Sequence, residues 1–226
     1  KNIDLRKPDV SVQLGDLSKI IEPGALPKPE RMSVQSDAQF NRIHVVLRGL
    51  HCVDETNPES GDDDMILGGV LVGASGKTRV MTSIVCGTFN DGDYQNFGNH
   101  FLGEMSLNST PGYPKTFYAI FKLIESDSND AEVARNLTKA LSFIANVIGT
   151  MFAGKGAGAL FGGLVSAIGG IWSGMFDDDH FPPYGVRLTL NGPNDFGGPV
   201  SPNRRTGDIR GHGGRYRIGY KYILNA

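Results

Sequence analysis

ALSFIANVIGTMFAGKGAGALFGGLVSAIGGIWSGMF, residues 140–176, is the stretch on which the reading of the fold turns. Its 37 residues carry one charge, Lys155, and nine glycines. Carboxylates flank it: Glu125, Asp127, Asp130 and Glu132 before, Asp177, Asp178 and Asp179 after. An uncharged segment of this length is either a helical hairpin buried in a fold or one that enters a membrane. Just upstream, Asn129 fits a helix N-cap, with Glu132 placed to reach back to it. Val133, Leu137, Leu141, Ile144, Ile148 and Met151 then form one apolar face at a spacing of about 3.6 residues. Gly154, Lys155 and Gly156 end that helix, and residues 157–175 are its expected return partner.

The two readings of the hairpin use the same residues. Gly158, Gly162, Gly163 and Gly170, with Trp172 beside them, let the second helix approach the first closely in a buried hairpin. The pairs Gly158/Gly162 and Gly170/Gly174 also match the small-residue spacing of helices that pack in bilayers. Residues 157–176 are long enough to span hydrocarbon, as a pore-forming toxin would require. Against this, glycine and alanine add little insertion energy. The balance favours burial, with a membrane partner as the alternative.

The rest of the chain reads as strands. Ile43, Val45 and Leu47 alternate with Arg42, His44 and Arg48, as a half-buried strand requires. Beyond Gly49 the apolar register moves to Leu50 and Cys52, which places a bulge at Arg48 and Gly49. Residues 65–72, 79–89, 100–107 and 116–124 continue the pattern, with a turn at Asn90, Asp91, Gly92 and Asp93. Val186, Leu188 and Leu190 form another strand, and Tyr216, Ile218, Tyr220 and Tyr222 alternate with Arg215, Arg217 and Lys221 in the last. The expected fold is therefore mainly β: an antiparallel β-sandwich over residues 40–226, with a two-helix apolar hairpin inserted at 130–176. Residues 1–39, with Pro8, Pro23, Pro27 and Pro29, form an extended arm. Its segment 10–14 alternates apolar and polar residues, so it suits addition to an open sheet edge, which makes residues 1–30 the expected homo-oligomer contact.

Composition narrows function without naming it. Of 226 residues, 39% are hydrophobic and 20% charged, as in a folded protein with an ample core. A net charge of −2 argues against a general nucleic-acid binder. Abundant Gly, Asn, Asp and Thr with few cysteines suits a secreted or cell-surface protein, with a lean towards a bacterial one. Cys52 and Cys86 both fall in expected strands, and one bridge or two buried thiols are equally allowed. The chain opens at Lys1 with no apolar leader, so a signal peptide has been removed or was never present.

Charge is concentrated: 15 of 24 acidic residues fall in four runs, at 54–64, 91–93, 125–132 and 177–179. The loop holding Asp54, Glu55, Glu59, Asp62, Asp63 and Asp64 has no basic residue. Like charges held together repel unless a cation screens them, and calcium takes six to eight oxygen ligands in flexible geometry. Glu125, Asp127 and Asp130 follow one strand, while Asp177 and Asp178 precede another, so the three runs form one calcium-binding set if their ends coincide. A solvated acidic loop accounts for the same residues without a metal. A strand, acidic loop and strand over 50–67, with a second acidic run at 125–130, resembles the calcium end of C-two domains, the membrane-docking sandwiches of signalling proteins. That resemblance implies Asp54, Asp62, Asp64, Glu125 and Asp127 as calcium ligands, and the helical insertion departs from it.

Other motifs fail on their own chemistry. Gly76, Lys77 and Thr78 would close a phosphate loop only with glycine in place of Leu71 and a helix afterwards. Histidines 44, 51, 100, 180 and 212 are scattered, with no zinc spacing. No Gly-x-Ser-x-Gly elbow is present. With no catalytic constellation and no small-molecule substrate indicated, the expected class is a non-enzymatic binding or structural domain. The arginines at 204, 205, 210, 215 and 217 read as a basic loop and an exposed strand face.

Overall fold

Alternation from Arg42 onward builds β1 (Arg42–Asp54), the central strand of the first sheet in a computed structural model that describes residues 40–56, 62–108, 112–126, 130–152, 181–192, 195 and 205–225. The register shifts between Leu47 and Gly49, where the bulge was expected. β1 pairs antiparallel with β5 (Tyr94–Ser106) on one side and β9 (Gly214–Asn225) on the other. β8 (Arg205–Gly211) completes this sheet, in the order β5-β1-β9-β8.

The second sheet is built on β2 (Asp63–Val72) and β6 (Lys115–Glu125), with β7 (Tyr184–Leu190) beyond β6. On its other side β2 pairs with two short strands, β3 (Thr78–Val80) and β4 (Ile84–Phe89). A single strand over 79–89 was expected; the chain breaks at Met81, Thr82 and Ser83. Met81 N donates to Gly69 O of the second sheet, and Thr82 N donates to Leu102 O of the first. The backbone changes partner there, so the strand cannot continue.

The inner faces of both sheets share one core. Ile43, Leu47, Leu50 and Cys52 of β1 meet Leu67 and Leu71 of β2, Phe117 and Phe121 of β6, and Tyr216 and Tyr220 of β9. Each large side chain so buried contributes about 1.5–3 kcal/mol. Mainly β, with two antiparallel sheets on a common core, the fold is sandwich-like. Both cysteines are free and buried, and burial pushes the Cys86 thiol up to about 12.

A second core lies on the far side of the second sheet. Residues 130–152 form one helix, α1 (Asp130–Phe152). Leu137, Leu141, Ile144 and Ile148, four of the residues expected on its apolar face, pack with Ala140 and Ala145 onto Ile66, Val70, Val72, Tyr118, Ile120 and Ile124. β2 and β6 are thus covered on both faces, which explains their nearly unbroken apolar sequences. Gly68 permits the contact: a Cβ there would sit 2.8 Å from Leu141 Cδ1 and 3.0 Å from Leu137 Cδ2. One helix is described where two were expected. The return segment, with Gly158, Gly162, Gly163, Gly170 and Trp172, lies outside the described residues, as does the arm 1–39.

Candidate functional site

The acidic loops meet at one end of the sheets. β1 ends at Asp54, which lies opposite Arg215 of β9. Asp54 and Asp62 are exposed, whereas Asp63, the first residue of β2, is buried. Asp63 is held by three donors. Thr56 N and Thr56 Oγ1 reach its two oxygens at 2.9 and 2.7 Å, and the Tyr216 hydroxyl reaches Oδ2 at 2.5 Å. Tyr216 is fully buried, edge-on to Phe89 and Phe181. Burial and the bond to Asp63 hold its phenol well above the ordinary range. Burial also pushes the neighbouring Cys52 thiol up to about 11; Asp63, Asp91 and Glu55 add to the rise and a bond with Tyr216 opposes it.

Other acidic segments join the same end. Glu55 N donates to Asp91 Oδ1 at 2.7 Å, and Cys52 exchanges backbone bonds with Gly92 and Asp93, so the β4–β5 turn is pinned to the end of β1. Asp64 Oδ1 accepts from Thr88 Oγ1 at 2.5 Å, while Asp64 O accepts from Ser126 N at 2.8 Å. That second bond ties β2 to the end of β6, where Glu125 lies in register with Met65. Glu125 Oε2 then stands 2.9 Å from Thr56 Oγ1, the same hydroxyl that bonds Asp63. A hydroxyl carries one hydrogen, so two carboxylates share one donor.

The electrostatics follow from this crowding. Partial desolvation, then the neighbouring Asp91, Asp63, Asp62 and Asp54 in turn, push the Glu55 carboxyl above its usual value. A negative field of this kind favours a proton or a cation. Among the described residues, no three His, Cys, Asp or Glu side chains gather closely enough to hold a metal ion by themselves.

Of the sequence-derived ligand set, the structure brings Asp54, Glu55, Asp62, Asp63, Asp64 and Glu125 to one end. Asp127, Asp177 and Asp178 lie outside the described residues, and Asp130 is placed only as the first residue of α1. Sequence reasoning missed Thr56 and Tyr216, which organise Asp63, and counted Asp91 in an acidic run without adding it to the ligand set. Nothing local marks Tyr216, 153 positions from its partner. The signal for Asp91 was that run; what the sequence did not show is that the β4–β5 turn folds against the end of β1.

At the opposite extreme of charge, β8 was expected as a basic loop but is a strand. Asp208 accepts from Arg215 and, at 2.8 Å, from Arg217. These two guanidiniums, Arg217 first, hold the Asp208 carboxyl down at about 2. Gly207 leaves room for the Tyr184 ring to lie where a side chain would stand. Among the described residues no helix is long and apolar enough to cross a membrane. Compared with protein-family models, with curated proteins and with solved structures, the chain matches none.

Proposed function

We propose that this chain is a non-enzymatic binding and structural domain, secreted or displayed at a cell surface, whose acidic end takes up calcium. The observation that carries the reading is the convergence of carboxylates from the β1–β2 loop, the β4–β5 turn and the end of β6. Hard oxygen donors at a crowded, solvent-facing end suit calcium better than a softer metal. Asp54 and Asp62, exposed at the rim, would supply ligands, while Asp63 holds the loop from below through Thr56 and Tyr216. The likeness to C-two domains rests on these same loops.

The apolar segment completes the fold in this reading. Residues 157–175 form the second helix of the hairpin and pack on α1 through their glycines. The arm 1–39 adds a strand to a neighbouring subunit. Asn41 N bonds Asn225 O and Asn41 O accepts from Leu107 N, so the arm leaves beside the end of β5, an edge strand of its sheet.

The test is a calcium titration of thermal stability. A cation that binds only the folded state raises the melting temperature by mass action, and the double variant Asp62→Asn, Asp64→Asn removes most of the rise. Identical melting curves in millimolar calcium and in chelator overturn the proposal.

A further inference from the structure

No described element covers the outer face of the first sheet, and its chemistry is unlike that of the other described surfaces. Side chains that alternate away from the shared core place Arg48 on β1, Arg215, Arg217 and Lys221 on β9, and Arg210 on β8 on one surface. Besides Asp54, which lies opposite Arg215 at the acidic end, this face carries Glu104 and Asp208, and each of these two is outnumbered. Glu104 faces Arg42 at 2.9 Å and Arg79 at 3.1 Å, and Asp208 faces Arg215, Arg217 and Arg210. The net charge of −2 therefore hides a separation, with an acidic end and a basic face.

Two exposed aromatic rings lie on that basic face. Tyr94 is 48% exposed, and the outer part of its ring crosses Gly49, with Cε2 2.6 Å from where a Cβ would be. The ring therefore lies along the sheet rather than standing out from it, with His51 edge-on beside it. Phe101, 46% exposed, meets His44 edge-on at 5.1 Å. Between the two rings, Arg48 Nη1 donates to Asn99 Oδ1 at 2.5 Å. Their partners on β1, His51 and Val46, lie five positions apart, so the rings are separated by about 15 Å. Near the Phe101 end, a hollow of about 240 Å³ is lined by Arg42, Glu104 and Asn41, whose buried Oδ1 has no hydrogen-bond partner among the described residues.

We infer that this face binds single-stranded nucleic acid. Guanidiniums and the Lys221 ammonium follow the phosphates, bases stack on Tyr94 and Phe101, and the amides of Asn96 and Asn99 offer hydrogen bonds to base edges. A ring lying along a sheet suits a planar base, since stacking on aromatic side chains is tolerant of sequence and needs only an open π-face. A lipid surface would instead call for apolar side chains that protrude. The inference does not rest on the calcium reading, which uses the loop carboxylates beyond the Asp54 end of β1, although Tyr94 and Arg215 lie beside that end.

The test is fluorescence anisotropy of the whole protein with a labelled oligothymidine and an oligouridine, each of about 15 nucleotides. Duplex of the same length and vesicles of phosphatidylserine and phosphatidylcholine serve as comparison arms. Single strands are expected to bind, with the logarithm of the affinity falling linearly as log salt rises. Tyr94→Ala and Phe101→Ala each weaken binding about tenfold, while Tyr94→Phe keeps it. Asp208→Asn, which removes a carboxylate from the face, tightens it. Circular dichroism and melting curves of each variant separate lost stacking from lost fold. Absence of binding at low salt overturns the inference. So does equal binding to single strands, duplex and vesicles that is indifferent to both aromatic substitutions.

Discussion

The outer faces of the two sheets began from similar antiparallel ladders and ended with opposite chemistry. On the second sheet, α1 covers β2 and β6, and Ile66, Val70, Tyr118 and Ile120 are buried beneath it. On the first sheet, the same positions of the pleat carry Arg48, His51, Arg217 and Lys221, and no described helix covers them. Each face accords with its sequence. Residues 65–72 and 117–124 are nearly continuous apolar runs, as two-sided burial demands, whereas β1 and β9 alternate. An apolar outer face must be hidden, and an alternating one is free to bind.

The largest expected effect probes the covered face. Ile144 is fully buried between α1 and the second sheet. Ile144→Ala leaves a cavity and lowers stability by about 2–5 kcal/mol. Ile223→Ala, on the open side of β9 and only half-buried, costs much less. Chemical denaturation of the two variants checks this. Equal losses would show that α1 is not a fixed part of the core, and would revive the reading in which the apolar segment leaves the fold for a membrane.

Legibility in the sequence followed the same division. The apolar face of α1 was readable because Leu137, Leu141, Ile144 and Ile148 recur with helical period, and the bulge at Gly49 because alternation slips there. β8 was not readable: Arg205, Gly207, Arg210 and Gly211 give no apolar alternation, since one side of the strand faces solvent and Gly207 yields its space to Tyr184. The first half of β5 was missed for a related reason, as six of residues 94–99 and His100 lie almost wholly on the surface and show no period. Acidic runs announced the calcium candidate, but the long-range bond from Tyr216 to Asp63 has no local signature.

A second, smaller effect tests how strictly the covered sheet excludes charge. Lys122 of β6 is buried, its ammonium donates to Phe181 O, and burial lowers its pKa to about 6. The unfolded chain keeps the usual lysine value, so between about pH 6 and the usual lysine range the unfolded state binds the extra proton. Stability from this group therefore rises with pH across that window. Lys122→Met removes the penalty, and its gain over the parent shrinks as pH rises, by at most about 1.4 kcal/mol per unit. Urea denaturation at pH 7, 8 and 9 reads the trend. A gain independent of pH would mean that Lys122 stays charged in the fold, by reaching water or a partner anion.

The smallest effect belongs to the open face. Glu104 accepts from Arg42 and Arg79, and His44 lies 3.4 Å away. The bond from Arg42, helped by the charges of Arg42, Arg79 and His44, holds its carboxyl below the usual value. A depressed folded pKa means that the stabilisation is present above the unfolded carboxylate pKa and is lost as pH falls through the folded one. These side chains meet solvent, so screening leaves little: Glu104→Gln should lower stability by only about 0.2–1 kcal/mol. The difference should fade at high salt and close as the pH drops towards the folded pKa. Melting curves at two salt concentrations and at pH 7 and pH 3 measure both trends. A loss as large as that of Ile144→Ala, unmoved by salt, would make Glu104 a structural keystone of β1, β3 and β5 rather than one charge on a surface held open for a partner.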